Sequence, residues 1–438
     1  MTRGRRAWTL VATLGALSAA AGALERGGLA DALAGRSVAQ AANAGSARPR
    51  LHRWIWVSPA QVRRLPESGA AWGQVKAKAD DQLGHGDLSD QDETHDTKVL
   101  AVALVYARTG SERYRRKAAA GIMDVVGTEE GGRTLALARG LLAYVVAADL
   151  IDLHEFDPGK DGVFRRWLAR VRREPLKPDS RPTLIATHER APNNWGTHAG
   201  ASRMAADVYL RDAQDLARAA AVFKGYLGDR HAYRGFVFGD DRSWQVDPRA
   251  PVGVLPVGAT KDGHNLSGAL PDDMRRGCSL RWPPCPTRYP WEALQGITAQ
   301  AEILRRQGYD AYDWQHQAVR RAAQFLFRLD RRFPGEGWAT PNVDEWLLWL
   351  LNDRYGTRFP VVATSEPGRG MGYTGWTHGT RPCPNLGCRR PSRPARRVVP
   401  VPPPAPGGGG SALLPELAGL AGALAVILAA VRRILRAL

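Results

Sequence analysis

From about residue 96 to residue 355, apolar residues recur at the i, i+3, i+4, i+7 spacing of an α-helix, and Gly, Pro and Asp turns separate the runs. A stretch this long with one period predicts an all-α body. The spacing predicts helices over Lys98–Arg108, Glu112–Val126, Arg133–Ile151, Gly162–Arg172, Trp195–Leu210, Ala213–Leu227, Trp291–Arg306, Trp314–Leu329 and Val343–Tyr355. Leu100–Tyr106 and Leu141–Leu150 are apolar almost all round, as inner helices covered by an outer layer must be. Short links between successive helices make them antiparallel neighbours. The expected fold is an α/α toroid, an incomplete helical barrel of helical hairpins. One segment breaks the period: Gly228–Tyr289, rich in Gly, Pro, Asp and Trp. An insertion of that length in a compact domain is a natural place to look for chemistry.

The two ends differ from this body. The chain has 438 residues and a formal net charge of +18. Residues 1–50 hold seven Arg and two acids, and residues 389–438 hold eight Arg and one acid, so about two-thirds of the excess lies outside the helical body. Arg3, Arg5 and Arg6 precede an apolar run from Ala7 to Leu24, the form of an export signal, which we place within 1–44. A helical domain is expected over 45–388. An Arg/Pro/Gly-rich linker follows over 389–411, too poor in apolar residues to fold. Within 412–438, Ala412 to Val431 carries Glu416 as its one charge, and Arg432, Arg433 and Arg436 come next. That pattern predicts a C-terminal transmembrane helix with a cytoplasmic end, leaving the body on the extracytoplasmic face of the membrane. In an exported chain, Cys278 with Cys285 and Cys383 with Cys388 are expected to pair locally as disulfides. Their spacing does not suit a four-Cys zinc site, so no metal is expected. Nucleic acid is not an expected partner, because the body has no basic run and export removes it from the cytoplasm.

Three segments carry candidate chemistry. The first is Pro192–Asn193–Asn194–Trp195–Gly196–Thr197–His198, at a helix start. Asn is a good N-cap, but a cap needs one Asn, and Asn194 and His198 share a helix face. The second runs from Leu270–Pro271 through Asp272, Asp273 and Met274 to Arg275–Arg276. It is followed by Tyr289–Pro290–Trp291–Glu292–Ala293–Leu294. The third is the loop Asp262–Gly263–His264–Asn265.

Together these residues resemble the alginate lyase superfamily, helical-toroid polysaccharide lyases that act on uronic-acid polymers. Asn193–Asn194 is similar to that family's Asn–Asn–His helix start. Leu270 to Arg276 is similar to its Leu–Pro–x–x–x–basic–Arg segment. Tyr289 with Ala293–Leu294 is similar to its Tyr–x–x–x–Ala–Leu, in which the Tyr is catalytic. The order is the same, and the similarity runs from about residue 55 to 376, including Trp338 and the Gly375–Trp376–Thr377–His378 end. This chain departs from the pattern at Trp195, which stands where the family has His, and in its inserted Cys278–Cys285 loop.

The resemblance implies β-elimination across a 4-linked uronate. Such a step needs the C5 proton removed, and that proton is barely acidic beside a charged carboxylate. Donors or cations must neutralise the carboxylate so that the enolate-like transition state is stabilised. Asn194 and Arg276 suit that role, one as an amide donor and the other as a bidentate fork. Tyr289 suits proton transfer, as acid and, where a neighbouring cation favours the phenolate, as base. His198 and His264 are the alternative bases. Asn193, Trp195, Trp244, Trp282 and Trp291 are candidates for substrate contact, the indoles by stacking on sugar rings. No cofactor is required. Two other functions fit the same residues. A glycoside hydrolase would draw its two carboxylates from Asp240, Asp241, Asp272, Asp273 and Glu292. A degenerate lyase that only binds glycan would account for Trp195.

Overall fold

The computed structural model describes residues 51, 54–176 and 183–379. The expected export region, linker, membrane anchor and Cys383–Cys388 pair lie outside the described residues. Among the described residues, no helix is long and apolar enough to cross a membrane.

Among the described residues the regular structure is helical apart from one hairpin of two-residue strands. The longer helices are α1 (Ala70–Asp80), α2 (His95–Thr109), α3 (Glu112–Asp124), α4 (Thr134–Leu150), α5 (Pro158–Val171) and α6 (Leu184–Arg190). They continue as α7 (Asn194–Leu210), α8 (Ala213–Tyr226), α9 (Tyr289–Arg306), α10 (Trp314–Arg332) and α11 (Trp346–Tyr355).

Packing partners place α2, α4, α7, α9 and α11 side by side. The short helix Thr374–Thr377 then links α11 to α1, which rests on α2, so the succession closes on itself. The composition of these inner helices explains their position. In α4 every residue except Gly140 and Asp149 is buried, and in α7 every residue from Asn194 to Tyr209. A helix without a polar face has nowhere stable to go except the interior. Covering them are α3, α8 and α10, each with an apolar stripe under a charged outer face; Tyr114, Ala118, Ala119 and Ile122 form that stripe in α3.

The helices expected from the period are all present, with ends moved by a few residues. Val343 falls in a short 3-10 turn, Asn342–Asp344, ahead of α11. The period misses α1, whose buried side is only Trp72, Val75 and Ala79, and α6, which is too short to show one. It also reads α10 as regular from its start. Gln315, His316 and Gln317 instead have φ between 51° and 59°, the left-handed region. The Arg321 guanidinium steadies this turn by donating to the carbonyls of Gln315 and His316 at 2.7 and 2.8 Å.

The 228–289 insertion is less polar in effect than in composition. It buries Trp244, Val254, Leu255, Leu266 and Leu270 against the helices. Its hairpin pairs Thr260–Lys261 with His264–Asn265 through an Asp262–Gly263 turn with φ of 51° and 76°, a turn type that requires two positive φ values. The insertion ends in the helix Pro271–Met274 and in the loop closed by a Cys278–Cys285 disulfide.

Candidate active site

The two motif segments meet at the start of α7. Asn193 is the N-cap: its Oδ1 accepts the Trp195 N–H at 3.1 Å. Its Nδ2 donates to Asp272 Oδ2 at 2.7 Å, and the Asn194 backbone N–H donates to Asp273 Oδ1 at 3.0 Å. The adjacent acids of the second segment therefore take up polar groups that a helix start leaves unsatisfied. Asp272 also receives Arg275 Nε at 2.7 Å. Burial, reinforced by the neighbouring Asp272 charge, pushes the Asp273 carboxyl well above the usual carboxylate range. Both acids are committed to scaffolding, so neither has the opening onto a ligand that the hydrolase reading needs.

One residue further on, the Asn194 side chain is gripped from both ends. Its Oδ1 accepts from Arg276 Nη1 at 2.7 Å, and its Nδ2 donates to Glu292 Oε2 at 2.8 Å. These two partners settle which way the amide faces, since the reverse orientation would set donor on donor and acceptor on acceptor. The Arg276 guanidinium lies 3.2 Å from the centroid of the Tyr289 ring. Glu292 Oε2 also accepts from Arg139 Nη2 at 2.5 Å. Asn194, Arg276, Tyr289, Glu292 and Arg139 thus form one connected cluster. Tyr289 and Arg276 are half-buried, while Asn194 and Arg139 are buried.

Helix packing brings these residues together. Tyr289 and Glu292 are three apart on the first turn of α9 and share a face. One turn on, Gly296 lies so near α7 that a Cβ there would run into the backbone of Thr197 and His198. Gln300 Nε2 then donates to the Thr197 carbonyl at 2.9 Å. The α7–α9 crossing is therefore close and registered, with Asn194 opposite Glu292.

The other expected residues fall elsewhere. His198 is only 2 % exposed, and its Nε2 has no partner among the described residues. Burial, with the Arg139 and Arg369 charges adding, drives its pKa well down, and a hydrogen bond to the Glu292 backbone opposes this only in part. It is a neutral packing residue between α7 and α9, which corrects the expectation of an accessible base. His264 stacks on Trp282 with centroids 4.2 Å apart, and it shares no hydrogen bond, ion pair or ring contact with Asn194, Arg276 or Tyr289. Trp244 and Trp291 are each 1 % exposed and donate to the carbonyls of Cys278 and Trp338. Both are core residues without a free face for a sugar, another correction. Trp195 is buried with Leu135 and Ala191 beneath Arg133, whose guanidinium lies 4.7 Å from the ring. Trp282 remains half-buried, against His264 and Phe333.

Arg139 escaped the sequence reading, and Glu292 entered it only as a hydrolase carboxylate. A signal for Arg139 was present. It is the one charge among the buried residues of α4, and a buried guanidinium requires an anion nearby. The profile of a protein family described as Alginate lyase matches residues 73–331, more than half of the chain and spanning all five residues of the cluster. No curated protein and no solved structure matches the chain.

Proposed function

The chain belongs to the alginate lyase family, and from that membership we propose that it cleaves a 4-linked uronic-acid polymer by β-elimination at the Asn194–Arg276–Tyr289 cluster. The observation that carries this reading is the Asn194 amide held between Arg276 and Glu292 beside the Tyr289 ring. The amide keeps one Nδ2 hydrogen free of Glu292, and Arg276 keeps the rest of its fork. The half-buried Arg276 fork can be offered to the uronate carboxylate directly, and the buried Asn194 amide backs it with its free hydrogen. Their donors stabilise the charge that grows on that carboxylate as the C5 proton leaves. Because these groups are already fixed, little reorganisation accompanies the step. In this reading Asn194 and Arg276 do the neutralising themselves, and no metal is needed.

Tyr289 is then the proton-transfer group. His198 is buried and His264 is engaged by Trp282, so one residue takes the C5 proton and returns a proton to the departing O4. A single group can serve both atoms when they lie on the same ring face. They do so in uronates of manno or gluco configuration and not in their C5 epimers. Syn elimination of such residues is the reaction proposed. Export and a C-terminal anchor, read from 1–44 and 412–438, would place the activity on the extracytoplasmic membrane face.

The test is the rise in absorbance from unsaturated uronate when the purified chain meets alginate, glucuronan and glycosaminoglycans. The wild-type chain should give the product on at least one of them, and the Tyr289→Phe chain should not. Binding without product would favour a glycan-binding protein, and reducing ends without absorbance a hydrolase.

A further inference from the structure

Apart from the site described, the outer face of α10 carries a groove that the proposed reaction does not use. It has a volume of about 540 Å³, within the range of small-ligand sites, and is lined by Arg320, Phe327, Arg328 and Arg331 of α10 together with Arg358 and Phe359. With Gln324, which also lines it, Arg320, Phe327 and Arg331 recur every three to four positions along α10, so they form one stripe. From Arg320 to Arg331 that stripe rises ~16 Å along the helix.

The arginines that α10 contributes to the groove are not paired with acids. Arg320, Arg328 and Arg331 have no carboxylate within ion-pair distance among the described residues. Arg320 donates to Gln317 Oε1 at 2.9 Å, but its buried Nε has no partner among the described residues. Arg328 donates to the Ser267 carbonyl at 2.6 Å and lies over the Phe325 ring. Burial, and then the Arg331 charge, lower its pKa, with no acid acting the other way. Some arginines elsewhere in the fold do reach an acid: Arg305, Arg306 and Arg354 all converge on Glu302. A groove lined by such unpaired guanidinium groups concentrates anions. Its apolar part is Phe359, half-buried and stacked on Phe327 with centroids 4.7 Å apart.

We propose that this groove binds a carboxylated polysaccharide outside the active site, holding the polymer whose cleavage is proposed above. The choice of a uronate chain rests on that reading. The groove's demand for an extended anion does not. A polyuronate combines the two features that the groove answers, carboxylates along its length and ring faces for Phe359. The chain's own ends are unsuitable occupants, because residues 1–50 and 389–438 carry the same sign of charge as the groove. A second site on the same molecule raises the local polymer concentration without any change at the reacting centre.

The test is affinity electrophoresis of the full chain in gels containing alginate or glucuronan, with Tyr289→Phe in every protein so that the polymer stays intact. Adding Arg331→Glu should weaken retention about tenfold, the effect of a reversed charge on a carboxylate contact. Adding Arg320→Gln as well should weaken it further, and neutral dextran gels should separate none of the proteins. Arg331 is exposed and makes no hydrogen bond among the described residues, so Arg331→Glu alone decides if the double variant does not fold. Unchanged retention of Arg331→Glu in uronate gels overturns the proposal. So does Arg331-dependent binding of duplex DNA or phosphatidylserine vesicles by a chain that uronate gels do not retard. If the wild-type chain yields no unsaturated product but retention still depends on Arg331, the groove stands and the lyase reading falls.

Discussion

Tyr289 lies with its ring beneath the Arg276 guanidinium and its backbone on the first turn of α9. Replacing it with Phe keeps the ring and removes only the hydroxyl. The expected outcome is a loss of detectable turnover with an unchanged melting temperature, because proton transfer is lost and packing is not. Glu292 should behave differently. It is the anion for Arg139, whose side chain is 8 % exposed, and it also anchors the Asn194 amide. Glu292→Ala should therefore lower stability by about 3 kcal/mol in urea unfolding, since it strands a buried guanidinium, and should reduce turnover as well. Unaltered unfolding would show that Arg139 finds another partner. The contrast also shows what one-dimensional reading can reach. Asn194, Arg276 and Tyr289 were legible because each sits in a short segment with a recognisable order. The Arg139–Glu292 pair joins positions 153 apart and exists only after folding. Trp244 and Trp291 show the converse, since nothing in residue type separates an indole donating to a buried carbonyl from one lying open to a ligand.

At the scale of elements, the site depends on how closely α9 lies on α7. Gly296 makes that approach possible, because a side chain there meets the Thr197 and His198 backbone. Gly296→Ala should cost about 1–3 kcal/mol by overpacking. It should also reduce turnover by separating Glu292 and Tyr289 from Asn194, although the residue touches none of them. Denaturant unfolding and kinetics on the same preparation measure both effects. A variant with lost stability and full activity would show that the cluster does not need this crossing. The helices of the ring were readable from their period because burial on all sides leaves an unambiguous apolar run. The α10 start was not, since its left-handed turn is held by Arg321 through contacts made after folding. For the same reason Asp272 and Asp273 read as candidate catalytic acids until the structure set them under the α7 start.

Across the whole molecule, buried charges set the response to pH. Burial alone would raise Asp215, but its hydrogen bond and charge interaction with Arg203 outweigh that and hold it at about 2. A carboxylate lowered in the folded state stabilises folding above its unfolded value of 3.8, and that contribution is lost as pH falls toward about 2. Asp344 acts in the other direction. Burial, reinforced by the Glu292 charge, raises it from 3.8 to about 7. Between those values the folded chain keeps a proton that the unfolded chain has released, so its contribution to stability weakens as pH rises through that window. Asp344→Asn should flatten this part of a plot of melting temperature against pH, while an undiminished slope would place the titrating group elsewhere.

The net charge of +18 is also a property of the whole molecule, and its concentration in the end segments makes it a poor guide to the active centre. What identifies the reaction is the new chain end that cleavage creates. Mass spectrometry of the oligosaccharides released from a uronate polymer by the full chain reads that end directly. Elimination by Asn194, Arg276 and Tyr289 predicts fragments with an unsaturated terminal uronate, one water lighter than hydrolysis would leave, and none from the Tyr289→Phe chain. Fully hydrated ends, or unsaturated ends that persist without the Tyr289 hydroxyl, would contradict it.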